Sequence, residues 1–97
     1  MRIISRQTLK EFYGRHANAK GPLEAWFSEA KHACWSTPND VKKHYGSADI
    51  LPDNRVVFNI GGNNYRLVVK IAYQPGIVYI RFIGTHADYD KIDAETI

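Results

Sequence analysis

From Arg55 to Ile83 the chain passes through three alternating apolar segments, Arg55–Ile60, Tyr65–Tyr73 and Ile77–Ile83, parted by two turn signals. β-Branched and aromatic residues at every second position make strands, because successive side chains of an extended backbone point to opposite faces. Gly61-Gly62-Asn63-Asn64 offers residues that accept positive φ for the first reversal, and Gln74-Pro75-Gly76 places Pro before Gly as a type II turn requires. Strands joined by connections this short are antiparallel neighbours. The pattern therefore predicts a three-stranded antiparallel meander.

What precedes the meander reads as helical. Arg2-Ile3-Ile4 has the look of a short first strand. Thr8 and Glu11 have capping-box spacing, which predicts a helix beginning near Thr8 with Leu9, Phe12 and Tyr13 on one face. Asn18 to Gly21 breaks the pattern, and Pro22 suits the first turn of a second helix. There Leu23, Trp26, Phe27, Ala30, Ala33 and Cys34 recur at helical spacing, so the two helices should form a hairpin. Ser36 to Asp53 reads as a connector. Thr37-Pro38-Asn39-Asp40 starts a single helical turn that Gly46 ends, with Lys42, Lys43 and His44 on a solvated face. After the third strand, Thr85 with Asp88 can cap a short final helix or turn through Ile92. The expected architecture is one α+β domain spanning residues 1–97.

Composition agrees: 97 residues with 44% hydrophobic content can enclose one modest core, without repeats or a linker. The single cysteine, Cys34, excludes an intrachain disulfide, and its place in an apolar pattern predicts a core side chain. Neither a secretory signal nor an apolar run near the ~20 residues of a spanning helix is visible, so a cytoplasmic protein without membrane contact is expected. The four histidines show no ligand spacing, so neither a metal nor a cofactor is expected.

Charge distribution points to a partner. The formal net charge is +3, yet between Asn54 and Ala87 lie Arg55, Arg66, Lys70 and Arg81 with no carboxylate. Strand alternation gathers Arg55, Asn59, Arg66, Lys70, Tyr79 and Arg81 on one face. Tyr65, Leu67, Val69, Ile71 and Tyr73, with Val78, Ile80 and Phe82, fall on the face that packs on the helices. Like charges on neighbouring strands repel unless an anion joins them, and a polyanion such as RNA suits that face.

Cleavage of an RNA phosphodiester needs a base for the 2′-OH, a cation for the phosphate and an acid for the departing oxygen. Arginine binds phosphate with a planar fork, and histidine titrates near neutrality. Arg66, His86 and Tyr89 supply these types beside the basic face. Taken singly, His86 could equally be a local hydrogen-bonding residue and Tyr89 a core anchor for the last helix. The Gly-Gly-Asn-Asn loop reads as a hairpin turn rather than a phosphate cradle, since no helix follows it.

The strings Val57-Phe58-Asn59-Ile60-Gly61-Gly62-Asn63-Asn64-Tyr65-Arg66-Leu67-Val68 and Tyr79-Ile80-Arg81-Phe82-Ile83-Gly84-Thr85-His86-Ala87-Asp88-Tyr89-Asp90 resemble the HigB-type toxins of bacterial type II toxin–antitoxin systems, within the RelE/ParE toxin superfamily. The resemblance implies a RelE-like fold and an mRNA interferase acting on mRNA at the ribosome. It also implies a HigA-type helix-turn-helix antitoxin, with operator DNA reached only through that antitoxin. Arg66 matches the arginine that stabilises the transition state, and His86 and Tyr89 fall where the other catalytic groups lie. Which group is the base does not carry over. Arg55, Asn59, Asn63, Lys70, Arg81 and Lys91 are expected RNA contacts by position. The alternatives are a non-catalytic RNA- or protein-binding module on the basic face, or a ParE-like gyrase inhibitor.

Overall fold

The computed structural model describes residues 1–97. Strand β1 (Arg2–Ile4) leads into α1 (Arg6–Arg15), a 3-10 turn (Ala17–Ala19), α2 (Lys20–His32) and α3 (Pro38–His44). Then come β2 (Asp49–Leu51), β3 (Arg55–Ile60), β4 (Tyr65–Ala72), β5 (Ile77–Thr85) and the single-turn α4 (His86–Tyr89). The five strands form one sheet in the order β1-β5-β4-β3-β2. The meander is antiparallel as expected, and β1 joins its outer edge parallel to β5. Gly61, Gly62 and Gly76 take positive φ in the two predicted reversals.

Several boundaries differ from the sequence reading. Helix α1 starts at Arg6, because the Thr8 amide already donates to the Ser5 carbonyl; Thr8 sits inside the first turn and caps nothing. The predicted connector contains β2, which pairs with β3 across a tight reversal at Pro52-Asp53-Asn54. Asp53 and Asn54 both take positive φ there, which Asp and Asn tolerate better than other side chains. A helix does start after Thr37, where Thr37 and Asp40 form a capping box that was not foreseen, and the expected cap of Thr85 with Asp88 is formed.

Cys34 is a correction. Helix α2 ends at His32, so the chain leaves helical geometry before Cys34 and turns its thiol outward, while Trp35 enters the core. That core lies between the helices and one face of the sheet. Leu9 and Phe12 of α1 and Leu23, Trp26 and Ala30 of α2 meet Val56, Phe58, Leu67, Val69, Ile71 and Val78. Trp26 packs edge-on against Phe58 at 5.4 Å. Each large apolar side chain withdrawn from water here contributes about 1.5–3 kcal/mol.

The last strand departs from simple alternation. Val68 pairs with Phe82 but Val69 pairs with Ile80, leaving Arg81 as the extra residue of a β-bulge. One inserted residue exchanges the faces of everything beyond it. Ile83 therefore joins the helix-side core and Phe82 crosses to the other face, the reverse of the expected placement.

That other face is not simply solvated. Residues beyond α4 lie across it, and Tyr89, Ile92 and Ala94 enclose Val57, Val68 and Phe82 in a second small core. Val57 and Val68 are fully buried. Arg55, expected to steer RNA, is 7% exposed. Its Nε and Nη2 donate to the main-chain oxygen of Ile97 at 2.9 and 2.7 Å, and its Nη1 to Asp53 at 2.8 Å. Arg55 thus clamps the terminal segment instead of facing a ligand.

Asp53, one residue outside the carboxylate-free stretch, also accepts from Lys70 at 3.1 Å. Those hydrogen bonds, Lys70's first and then Arg55's, hold the Asp53 carboxyl below its ordinary range. A lowered folded-state value means the stabilisation is whole above the ordinary carboxylate range and is lost as pH falls through the lowered value. Melting temperature should accordingly drop in acid, and Asp53→Asn should flatten part of that drop. An acid profile unchanged by Asp53→Asn would show that the clamp contributes nothing to it.

Candidate RNA-cleaving site

Arg66 stands in the middle of the sheet on β4, opposite Asn59 of β3 and Gly84 of β5. Gly84 is required by its neighbours. A Cβ there would sit 2.5 Å from Cζ of Phe82 and 3.1 Å from Cβ of Asp88, so the bulge-shifted Phe82 ring occupies that space. The Arg66 side chain is half-buried, and its Nη1 is enclosed with no hydrogen-bond partner. Leaving a buried donor unpaired costs about 1–3 kcal/mol, more for a charged group. Its guanidinium carbon lies 5.9 Å from the centroid of the Tyr89 ring, within cation–π range.

Helix α4 places the other two candidates. Oγ1 of Thr85 accepts from the Asp88 amide at 3.1 Å, and the Asp88 carboxylate accepts from the Thr85 amide at 3.3 Å. This reciprocal cap makes a defined turn immediately after the strand. The His86 amide donates to the carbonyl of Asn64 at 3.2 Å, which ties α4 to the start of β4 two residues before Arg66. The His86 side chain is 51% exposed, and its Nδ1 lies 3.4 Å from Oδ2 of Asp90. Tyr89, partly buried against the second core, stacks beside Arg66. Burial pushes its phenol above the ordinary value, the Asp49 and Asp90 charges add to this, and Arg66 opposes it. The phenol therefore keeps its proton at neutral pH and can donate it.

Arg66, His86 and Tyr89 thus share one end of the sheet. Asn59 borders them, with its amide donating to the Ser47 carbonyl at 3.3 Å. Asn63 in the loop and Lys91 after α4 are exposed. Lys70 lies toward the other end of β4, Arg81 sits at the middle of β5, and Arg55 is withdrawn into its clamp. The sequence reading missed the carboxylates that reach this region. Asp49 arrives through the unforeseen β2, and Asp90 follows from the helical i,i+4 spacing to His86, a signal present in the chain but not weighed. Nowhere do three His, Cys, Asp or Glu side chains gather so as to hold a metal ion. No helix is long and apolar enough to cross a membrane.

Two surface clefts, of about 560 and 410 Å³, both include Cys34 and Trp35, and neither is lined by Arg66, His86 or Tyr89. A polymer laid along a sheet needs no closed cavity, so charge and chemistry locate this site better than concavity does.

A family model described as HigB_toxin, the RelE-like toxic component of a toxin-antitoxin system, matches residues 19–92. The mRNA interferase toxin HigB of Escherichia coli K12 is 29% identical over 96 residues, covering 97% of this chain and 92% of that protein. An mRNA interferase HigB of Shigella flexneri is similar to the same extent. That of Escherichia coli O6:H1 is 27% identical over 94 residues, covering 95% and 91% of the two chains.

Proposed function

The chain belongs to the HigB family of RelE-like toxins, and on that premise we propose that it is an mRNA interferase whose phosphate-binding group is Arg66. The observation that carries this reading is the Arg66 guanidinium, held in mid-sheet with an enclosed Nη1 that nothing in the chain satisfies. The rest of the half-buried guanidinium makes no hydrogen bond within the chain either, and a phosphate oxygen reaching its exposed side supplies an acceptor and a countercharge. As the 2′-oxygen attacks, negative charge builds on the phosphoryl oxygens, and a fixed guanidinium stabilises that charge without reorganising.

His86 and Tyr89 supply the proton transfers. The Asp90 carboxylate beside Nδ1 favours the tautomer that keeps the proton there and leaves Nε2 free to take one from the 2′-OH. Tyr89, held protonated, donates to the departing 5′-oxygen. These side chains meet the three needs of the reaction without a metal. An antitoxin partner follows from the family. We assign it to the HigA type with a helix-turn-helix domain, and place the action on ribosome-bound mRNA in the cytoplasm.

Incubating the purified protein with translating ribosomes and mapping mRNA 5′ ends tests the reading. Codon-phased cleavage is the expected result. Tight RNA binding without new ends would assign a binding module instead, and inhibition of DNA supercoiling would assign a gyrase poison. His86→Ala and Tyr89→Phe should each slow cleavage by about 10²–10⁴-fold, the range for loss of a positioned acid or base. Tyr89→Phe keeps the ring beside Arg66 and removes only the proton, so a wild-type rate in that variant would remove Tyr89 from the chemistry.

A further inference from the structure

The terminal segment covers only part of the sheet face that carries Arg66. Its apolar residues close over Val57, Val68 and Phe82, and the part nearer β1 stays open. Tyr79 stands there at 36% exposure, one of two large apolar side chains left in solvent. Its cross-strand neighbour is Lys70, and the parallel β1 strand brings Arg2 diagonally beside it through the Arg2–Ile77 and Ile4–Tyr79 pairs. Arg81, the bulge residue two positions on, is exposed and has no ionic partner, as is Arg2. Lys70 shares Asp53 with Arg55, so that carboxylate offsets part of the charge while Arg2 and Arg81 remain free.

Tyr79 thus presents an aromatic ring to solvent beside cations that no carboxylate fully offsets. We propose that Tyr79, flanked by Arg2, Lys70 and Arg81, is a base-stacking platform for single-stranded RNA. Every base has a π-face, and the surrounding cations attract the phosphates on either side of it. Lys70 lies four residues along β4 from Arg66. At about 3.3 Å per residue that is roughly 13 Å, so the platform holds a base within a few nucleotides of the scissile phosphate. Arg81 follows Tyr79 by two residues along β5, and the exchange of faces begins only after it, at Phe82. The proposal rests on the chain's being an mRNA interferase, and it adds a residue that positions the message.

The test is binding of the full chain to a single-stranded 2′-O-methyl oligoribonucleotide, which lacks the nucleophilic hydroxyl and cannot be cut, followed by fluorescence anisotropy. Tyr79→Ala should weaken binding on the order of tenfold, while Tyr79→Phe keeps the ring and the affinity. Arg81→Ala should weaken binding and reduce the salt dependence by about one phosphate's worth. An oligonucleotide with one base deleted at the stacked position should bind wild type more weakly and lose nothing further against Tyr79→Ala. Tyr79→Ala that melts and binds RNA like wild type overturns the platform alone, as does a defect confined to capture of the antitoxin. A wild-type chain that does not bind the oligonucleotide at low salt also overturns the platform, while the interferase reading is judged separately by the mRNA ends mapped on translating ribosomes.

Discussion

Arg66→Ala should abolish mRNA cleavage, and with it growth inhibition on induction, while leaving the protein folded. Removing one pre-positioned donor from a developing oxyanion costs about 10²–10³ in rate, and an arginine acting on a transferring phosphoryl group is worth more. The same substitution should cost little stability. Nη1 of Arg66 is enclosed without a partner, so truncation removes an uncompensated donor along with the cation–π contact to Tyr89. Thermal melting of Arg66→Ala should match or slightly exceed wild type, the signature of a side chain kept for function at the expense of the fold. Arg66→Lys keeps a charge but loses the fork, so it should recover only part of the rate. Full cleavage by a well-folded Arg66→Ala protein would remove Arg66 from the site.

Arg55→Ala should have the opposite profile, although the two arginines look alike in the chain. Arg55 makes two charged hydrogen bonds to the Ile97 oxygen and one to Asp53 while almost wholly buried. Each such bond contributes about 1.5–3 kcal/mol when enclosed, and the pairing to Asp53 is discounted because that carboxylate is 63% exposed. A net loss of about 2–3 kcal/mol is expected, which lowers the melting temperature of a domain this size by roughly 10–20 °C. Hydrogen exchange should show where the loss falls. Amides from residue 89 onward should lose protection, followed by those of β3 and β4 around Val57 and Val68, whose cover is that segment. Normal melting together with weakened RNA binding would return Arg55 to the role its position in the sequence suggests.

The readings that held rest on short-range chemistry. The helix start at Thr37-Pro38 and the cap of Thr85 by Asp88 are visible within three or four residues, and both formed. The false cap at Thr8 had the same spacing but lay inside a helix whose start was decided by the exit from β1. The bulge at Arg81 was hidden because Phe82 and Ile83 are both apolar, so either can face the core and binary pattern does not choose. The exposure of Cys34 follows from α2 stopping at His32 and Trp35 taking the core position. The terminal cover was signalled only by Ile92 and Ala94 in an otherwise polar segment.

By itself the sequence determined the meander, its two reversals, the helical layer and the gathering of Arg66, His86 and Tyr89 near one end of the sheet. Each of these depends on neighbours within a few residues, or on a period of two that no tertiary contact needs to set. Which of the four cations is free was decided only in three dimensions. Asp53 offsets part of the charge of Lys70 and Arg55, the main chain at Ile97 captures Arg55, and Arg81 stays exposed without an ionic partner. Burial and pairing depend on what a distant segment lays across the sheet, and on that the spacing of residues along the chain is silent.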